Sequence, residues 1–158
     1  MFIMCIKLDN MKPPGNSHIY ESDVQTFWFD ENGILCAVSK DAPRTLERQQ
    51  KTYELVKQIS GNKKVCYLTE VTHVKPPDRE TREYVLRESA NLFKAVAVIS
   101  NSVLGRMIAN ILFRMNSQPY PTKMFSNENE AKKWLKQYLH EDEVKPVIQR
   151  RRTSMKLF

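Results

Sequence analysis

From Lys63 to Leu139 the residue pattern predicts strand, helix, strand, helix, strand, helix. A two-strand hairpin over 24–39 and a helix over 43–60 come first. A strand joined to its neighbour through a helix runs parallel to it, whereas a hairpin pairs antiparallel. The order therefore predicts one α/β layer with a mixed sheet: an N-terminal β-hairpin, then α-β-α-β-α-β-α. At 158 residues the chain fits one domain of roughly 100–200 residues.

The local signals are specific. Val24 to Phe29 (VQTFWF) and Ile34 to Ser39 (ILCAVS) flank Asp30-Glu31-Asn32-Gly33, where Asn-Gly supplies positive φ angles for a tight hairpin turn. Asp41-Ala42-Pro43 opens the first helix, with proline at an early position, and Ser60-Gly61-Asn62 ends it. Lys64 to Thr69 (KVCYLT) and Ala95 to Ile99 (AVAVI) are short apolar runs suited to buried strands. Asp78 caps the second helix, Ser100-Asn101-Ser102 the third, and Ser126 or Asn127 the last. The third helix carries Leu104, Met107, Ile108, Ile111, Leu112 and Met115, a full apolar stripe whose methionines read as core filler. Thr122 to Phe125 is a short strand for a sheet edge.

Composition sets the compartment and the partners. Cys5, Cys36 and Cys66 are odd in number and show no C-x-x-C spacing, which predicts reduced thiols in the core rather than a redox or zinc site. The leader MFIMCIKLDN is apolar for only six residues, too few for a secretory core or a membrane span. Met4 and Met11 could each serve as an initiator, and the default location is the cytoplasm. Residues 1–17 are expected to be a flexible leader or an extra strand, 18–140 the domain, and 141–158 a charged basic tail. The net charge of +7 is spread: +5 over residues 1–140 and +2 beyond. Arg150, Arg151 and Arg152 are the one basic run through which the tail could meet nucleic acid.

The order of elements resembles the SpoIIAA-like STAS domains, in particular small bacterial members of uncharacterised role. The segments that carry the resemblance are TFWFDENGIL at 26–35, KVCYLTEVTHVKPPDRETREY at 64–84, KAVAVISNSVLGRMIAN at 94–110 and PTKMFSNENEAKKWLKQYL at 121–139. It implies a SpoIIAA-like mixed sheet and partner binding switched by a phosphoserine at the start of the helix after the third strand. Here Pro76-Pro77-Asp78-Arg79-Glu80-Thr81 occupies that stretch, with Arg79 and Glu80 where the serines would stand. Thr72 and Thr81 are the nearest hydroxyls, and a phosphate on Thr81 would meet a helix N-terminus and Arg79 or Arg82.

Open α/β sheets bind ligands at the carboxyl ends of their strands. The expected lining is Thr72, His73 and Lys75 on one side and Ser100, Asn101, Ser102 and Arg106 on the other. The Ser100–Ser102 turn could seat an anion or simply cap its helix. Glu70 could orient His73, but no nucleophile is fixed beside it, and His18 and His140 flank the domain, so neither catalysis nor a metal site is expected. Four glycines, none in a phosphate-loop pattern, argue against the common nucleotide enzymes. Trp28 alternates with Phe27 and Phe29, so it either faces outward as an interface anchor or is covered by the N-terminal segment. The reading is a non-enzymatic regulatory or protein-interaction domain without cofactor, docking a partner or forming a dimer. The alternative is a carrier for an apolar or anionic small molecule.

Overall fold

The computed structural model of the chain describes residues 11–71, 75–115 and 118–140. Among these, six strands form one sheet in sequential order: β1 (Tyr20–Glu21), β2 (Gln25–Phe29), β3 (Leu35–Ser39), β4 (Val65–Glu70), β5 (Phe93–Ile99) and β6 (Thr122–Phe125). β1, β2 and β3 pair antiparallel, and β3 through β6 pair parallel. Helices α1 (Leu46–Ile59), α2 (Arg79–Leu92) and α3 (Val103–Met115) are the crossovers, and α4 (Glu128–Leu135) follows β6. The two apolar runs expected at the centre do lie side by side and parallel, Tyr67 opposite Val96 and Leu68 opposite Ala97.

Alternation along the strands builds two cores. Phe27, Leu35, Ala37, Tyr67 and Val96 meet Tyr53 and Val56 of α1 and Leu92 of α2 on one face. Trp28, Cys36, Cys66, Leu68, Ala95, Ala97 and Ile99 meet Ala131 and Leu135 of α4 on the other. A register shift at Val65/Cys66 turns Phe93 onto the first face although Ala95, two residues on, points to the second. There Phe93 stacks on Tyr67 with ring centroids 4.5 Å apart.

Trp28 is 1% exposed. It is therefore not an outward interface anchor: it is buried in one cluster with Met11 of the N-terminal segment and Ala131 and Leu135 of α4. The Met11 N–H donates to Glu70 Oε2 at 3.0 Å, which fixes the start of the described chain to the end of β4.

Three local expectations are corrected. The hairpin turn has positive φ only at Gly33 (+80°), not at Asn32. The Asp30 carboxylate instead accepts the N–H groups of Asn32 and Ile34, both at 2.9 Å, and holds a longer loop closed by the left-handed glycine. α1 begins at Leu46, because Thr45 rather than Asp41 supplies the N-cap, its hydroxyl accepting from the Arg48 N–H. The apolar stripe of α3 is not core throughout, since Leu104 and Met107 are largely exposed.

Asp30 also ties the hairpin to α4. Its side chain is fully buried, with Oδ2 3.4 Å from Lys132 Nζ, and Lys132 in turn meets Glu128 at 2.8 Å. Burial works against the charged lysine, yet the bond to Glu128 and the nearby Asp30 charge outweigh it and raise the Lys132 ammonium above the usual lysine range. Asp30→Ala removes the one oxygen that accepts two loop N–H groups and leaves a half-buried cation short of one partner. We expect it to cost about 3 kcal/mol, read as a shift of the urea midpoint. Burial pushes the Cys36 thiol up to about 12. Cys36 and Cys66, both buried and neither in a disulfide, should therefore resist a thiol reagent at pH 8 until the protein is unfolded in urea, as mass spectrometry of the labelled peptides would show.

Candidate functional site

The carboxyl ends of the parallel strands open onto separate cavities, and the residues expected to share one crevice are divided between them. Lys75 lines a cavity of about 320 Å³ with Lys40, Arg44, Thr45 and Asp78 at the starts of α1 and α2. Asn101 lines another of about 330 Å³ with Met11, Glu70 and Asn127 beside the start of α4. Thr72 and His73 lie outside the described residues, as do Arg150, Arg151 and Arg152.

The Ser100–Ser102 turn spends its polar groups on itself. Ser102 Oγ accepts from the Gly105 N–H at 3.0 Å and so caps α3. Ser100 Oγ accepts weakly from the Ser102 N–H, and Arg106 Nη1 donates to the Ser100 carbonyl. A Cβ on Gly105 would lie 2.8 Å from the Ser102 hydroxyl, so the missing side chain is what lets the cap close.

Thr81 is not a surface hydroxyl. It is wholly buried and its Oγ1 has no hydrogen-bond partner among the described residues, while its N–H donates to Asp78 Oδ1 at 2.8 Å. The third residue of α2 turns inward, so the expected phosphorylation of Thr81 has no acceptor accessible to a kinase. The bond from the Thr81 N–H stabilises the ionised Asp78 and holds its carboxyl below the usual range.

Two residues that sequence reasoning passed over stand out instead. Arg44 and Gln49 line a third cavity of about 360 Å³ with Val71, Arg82, Val85 and Leu86. Arg44 donates from Nη2 to Ser39 Oγ at 2.7 Å at the end of β3, yet its buried Nε has no partner. Gln49 is 5% exposed and its Oε1 is also unpartnered. Burial pulls the Arg44 guanidinium below the usual arginine range, against the pull of the Tyr67 and Tyr53 hydroxyls. A signal for Gln49 was present: it stands four and seven residues before Tyr53 and Val56, on the buried stripe of α1.

A different surface is left open on α3. Val103, Leu104 and Met107 are 64%, 67% and 59% exposed, one turn of a helix without an acidic residue. Among the described residues no cluster of three or more histidine, cysteine or carboxylate side chains could hold a metal, and no helix is long and apolar enough to cross a membrane.

The burial of Thr81 gives a direct test. Thr81→Val removes an unpartnered hydroxyl and should leave stability within about 1 kcal/mol of the parent, or raise it. Thr81→Glu buries a carboxylate in the same space and should cost well over 2 kcal/mol in urea unfolding.

Comparison with known proteins agrees with this architecture. The chain is similar to an uncharacterised protein of the DUF3478 family with a SpoIIAA-like fold from Shewanella loihica PV-4, at 17% identity and a TM-score of 0.51, over 80% of this chain and 99% of that one. The fold is SpoIIAA-like, as the order of elements implied. A protein of unknown function from Arthrobacter sp. FB24 aligns at 23% identity over 69% of this chain and 90% of its own, but at a TM-score of 0.24. No curated protein matches the sequence. Residues 27–139 match the family model described as Domain of unknown function (DUF7793), and the chain belongs to that family.

Proposed function

We propose that this chain is a non-enzymatic, cytoplasmic bacterial interaction domain that docks an acidic partner protein on α3. The observation that carries the reading is the exposed apolar turn of Val103, Leu104 and Met107. Single apolar side chains are often exposed, as Ile19 and Leu86 are here, but a contiguous exposed apolar set at helical spacing marks a contact surface. Val103 and Met107 are four residues apart and Leu104 and Met107 three, so the three share one facet. The sequence of α3 has two arginines and no carboxylate, and the whole chain carries +7, so a partner with an apolar centre and an acidic rim complements it best. The facet takes over the docking role that the buried Trp28 cannot play. Regulation of such docking would not run through Thr81, whose hydroxyl is enclosed.

Replacing both centre residues, Leu104→Glu with Met107→Glu, tests it. The parent chain should retain from an extract of its source cells an acidic protein that elutes as salt is raised. The double variant, unchanged in melting temperature, should lose it by about 30-fold in affinity, the effect of removing roughly 2 kcal/mol of interface anchors. Retention by the variant equal to the parent, or light scattering that finds the facet occupied by a second copy of this chain, would overturn the reading.

A further inference from the structure

The free edge of β6 carries an inference independent of the α3 facet. Among the described residues β6 is the last strand of the sheet, so one side of its backbone faces away from β5. In a parallel ladder, alternate residues of a strand bond to one neighbour, and the residues between them point the other way. The Val96 N–H donates to the Pro121 carbonyl at 2.9 Å, and Thr122 stands opposite Val96. The N–H and C=O groups of Thr122, and of Met124 two residues on, therefore point out from the sheet. Asn110 satisfies both groups of Met124. Among the described residues nothing bonds to the two backbone groups of Thr122, whose hydroxyl donates to the Tyr120 carbonyl. Thr122 lines a fourth cavity, of about 480 Å³, together with Asn110 of α3 and Trp134 of α4. Its aromatic walls are fixed in advance. The Tyr120 hydroxyl donates to Ser89 Oγ at 2.8 Å, and the Trp134 ring packs 5.6 Å from that of Phe125 and 5.0 Å from that of Tyr138. Lys123 is the one charged residue of the lining, and it is exposed.

We propose that this edge takes an acidic peptide in extended form, added beside β6 as a further strand. The open groups are a backbone donor and a backbone acceptor on one residue, and a second extended backbone matches such a pair with two hydrogen bonds. The pairing is short and centred on Thr122, because Asn110 already occupies the edge at Met124. Side chains alternate along an added strand, so one set turns toward the wall that Trp134 supplies and favours β-branched or aromatic residues. The lining has a cation in Lys123 and no carboxylate, so acidic residues in the peptide complement it.

The probe is the blocked peptide acetyl-Glu-Val-Tyr-Val-Glu-amide, and the readout is amide hydrogen exchange of the full chain followed by NMR. Saturating peptide should slow exchange of the Thr122 N–H at least tenfold and leave that of Met124, already held by Asn110, unchanged. Thr122→Pro removes the outward N–H at an edge position of the kind where proline is tolerated, and it should weaken the peptide at least tenfold. Thr122→Val keeps the N–H and should bind as the parent does. Lys123→Glu, an exposed change, should weaken this peptide and favour the version with lysine in place of glutamate, which keeps the test open if the proline variant fails to fold. Three results would overturn the proposal. One is a Thr122 amide as protected as that of Met124 in the chain alone. Another is no change at Thr122 with millimolar peptide. The third is light scattering that finds a dimer which Thr122→Pro dissociates, since the edge would then belong to a second copy.

Discussion

The second face of the sheet depends on how closely α4 can approach it. Cys36, Cys66, Ala95 and Ala97 are small, and they lie where α4 crosses the middle strands. Their size lets Ala131 and Leu135 reach the strands, with Trp28, Leu68 and Ile99 filling the flanks. The Cys66 thiol even meets the Leu135 carbonyl, 3.7 Å away. Larger residues at those four positions would push the helix off the sheet. Asp30 then fixes the helix in place from the hairpin side, its carboxylate buried opposite Lys132. A mixed sheet with parallel strands at its centre is stable only when both faces are covered, so this contact is what allows the rest of the sheet to exist.

The remaining edges are handled differently. β1 is two residues long, which offers little for another strand to pair with. At the opposite edge, the Asn110 side chain accepts from the Met124 N–H at 2.9 Å and donates to the Met124 carbonyl at 3.3 Å, standing in for a neighbouring strand. α3 is drawn to that edge by Asn110, and its first turn is left with Val103, Leu104 and Met107 in solvent. The open facet is thus a consequence of how the edge is closed.

Much of the fold was legible because its signals are local. AVAVI and KVCYLT are short and apolar on both sides, a pattern that only a doubly covered strand tolerates. Asp78 and Asn127 cap the helices they were expected to cap, and Gly61 takes the left-handed conformation after α1. What was not legible concerns coverage. Alternation separates Trp28 from Phe27 but does not say which helix lies over it. A stripe on α3 reports an amphipathic helix and not whether anything packs against it. Thr81 reads as a surface hydroxyl until α2 is rotated against α1. Arg44 has no periodicity to betray it, because it sits in the loop before Thr45, and only the folded chain brings it over Ser39 and beside Gln49.

α4 and α3 therefore carry comparable apolar stripes to opposite ends, one closing the core and the other left uncovered. Methyl NMR of the full chain with a soluble nitroxide added measures this difference residue by residue. The signals of Leu104 and Met107 should be strongly attenuated, while those of Leu68 and Leu135 keep their intensity. Protection of Leu104 and Met107 equal to that of Leu135 would contradict it, since α3 would then have no free face to offer.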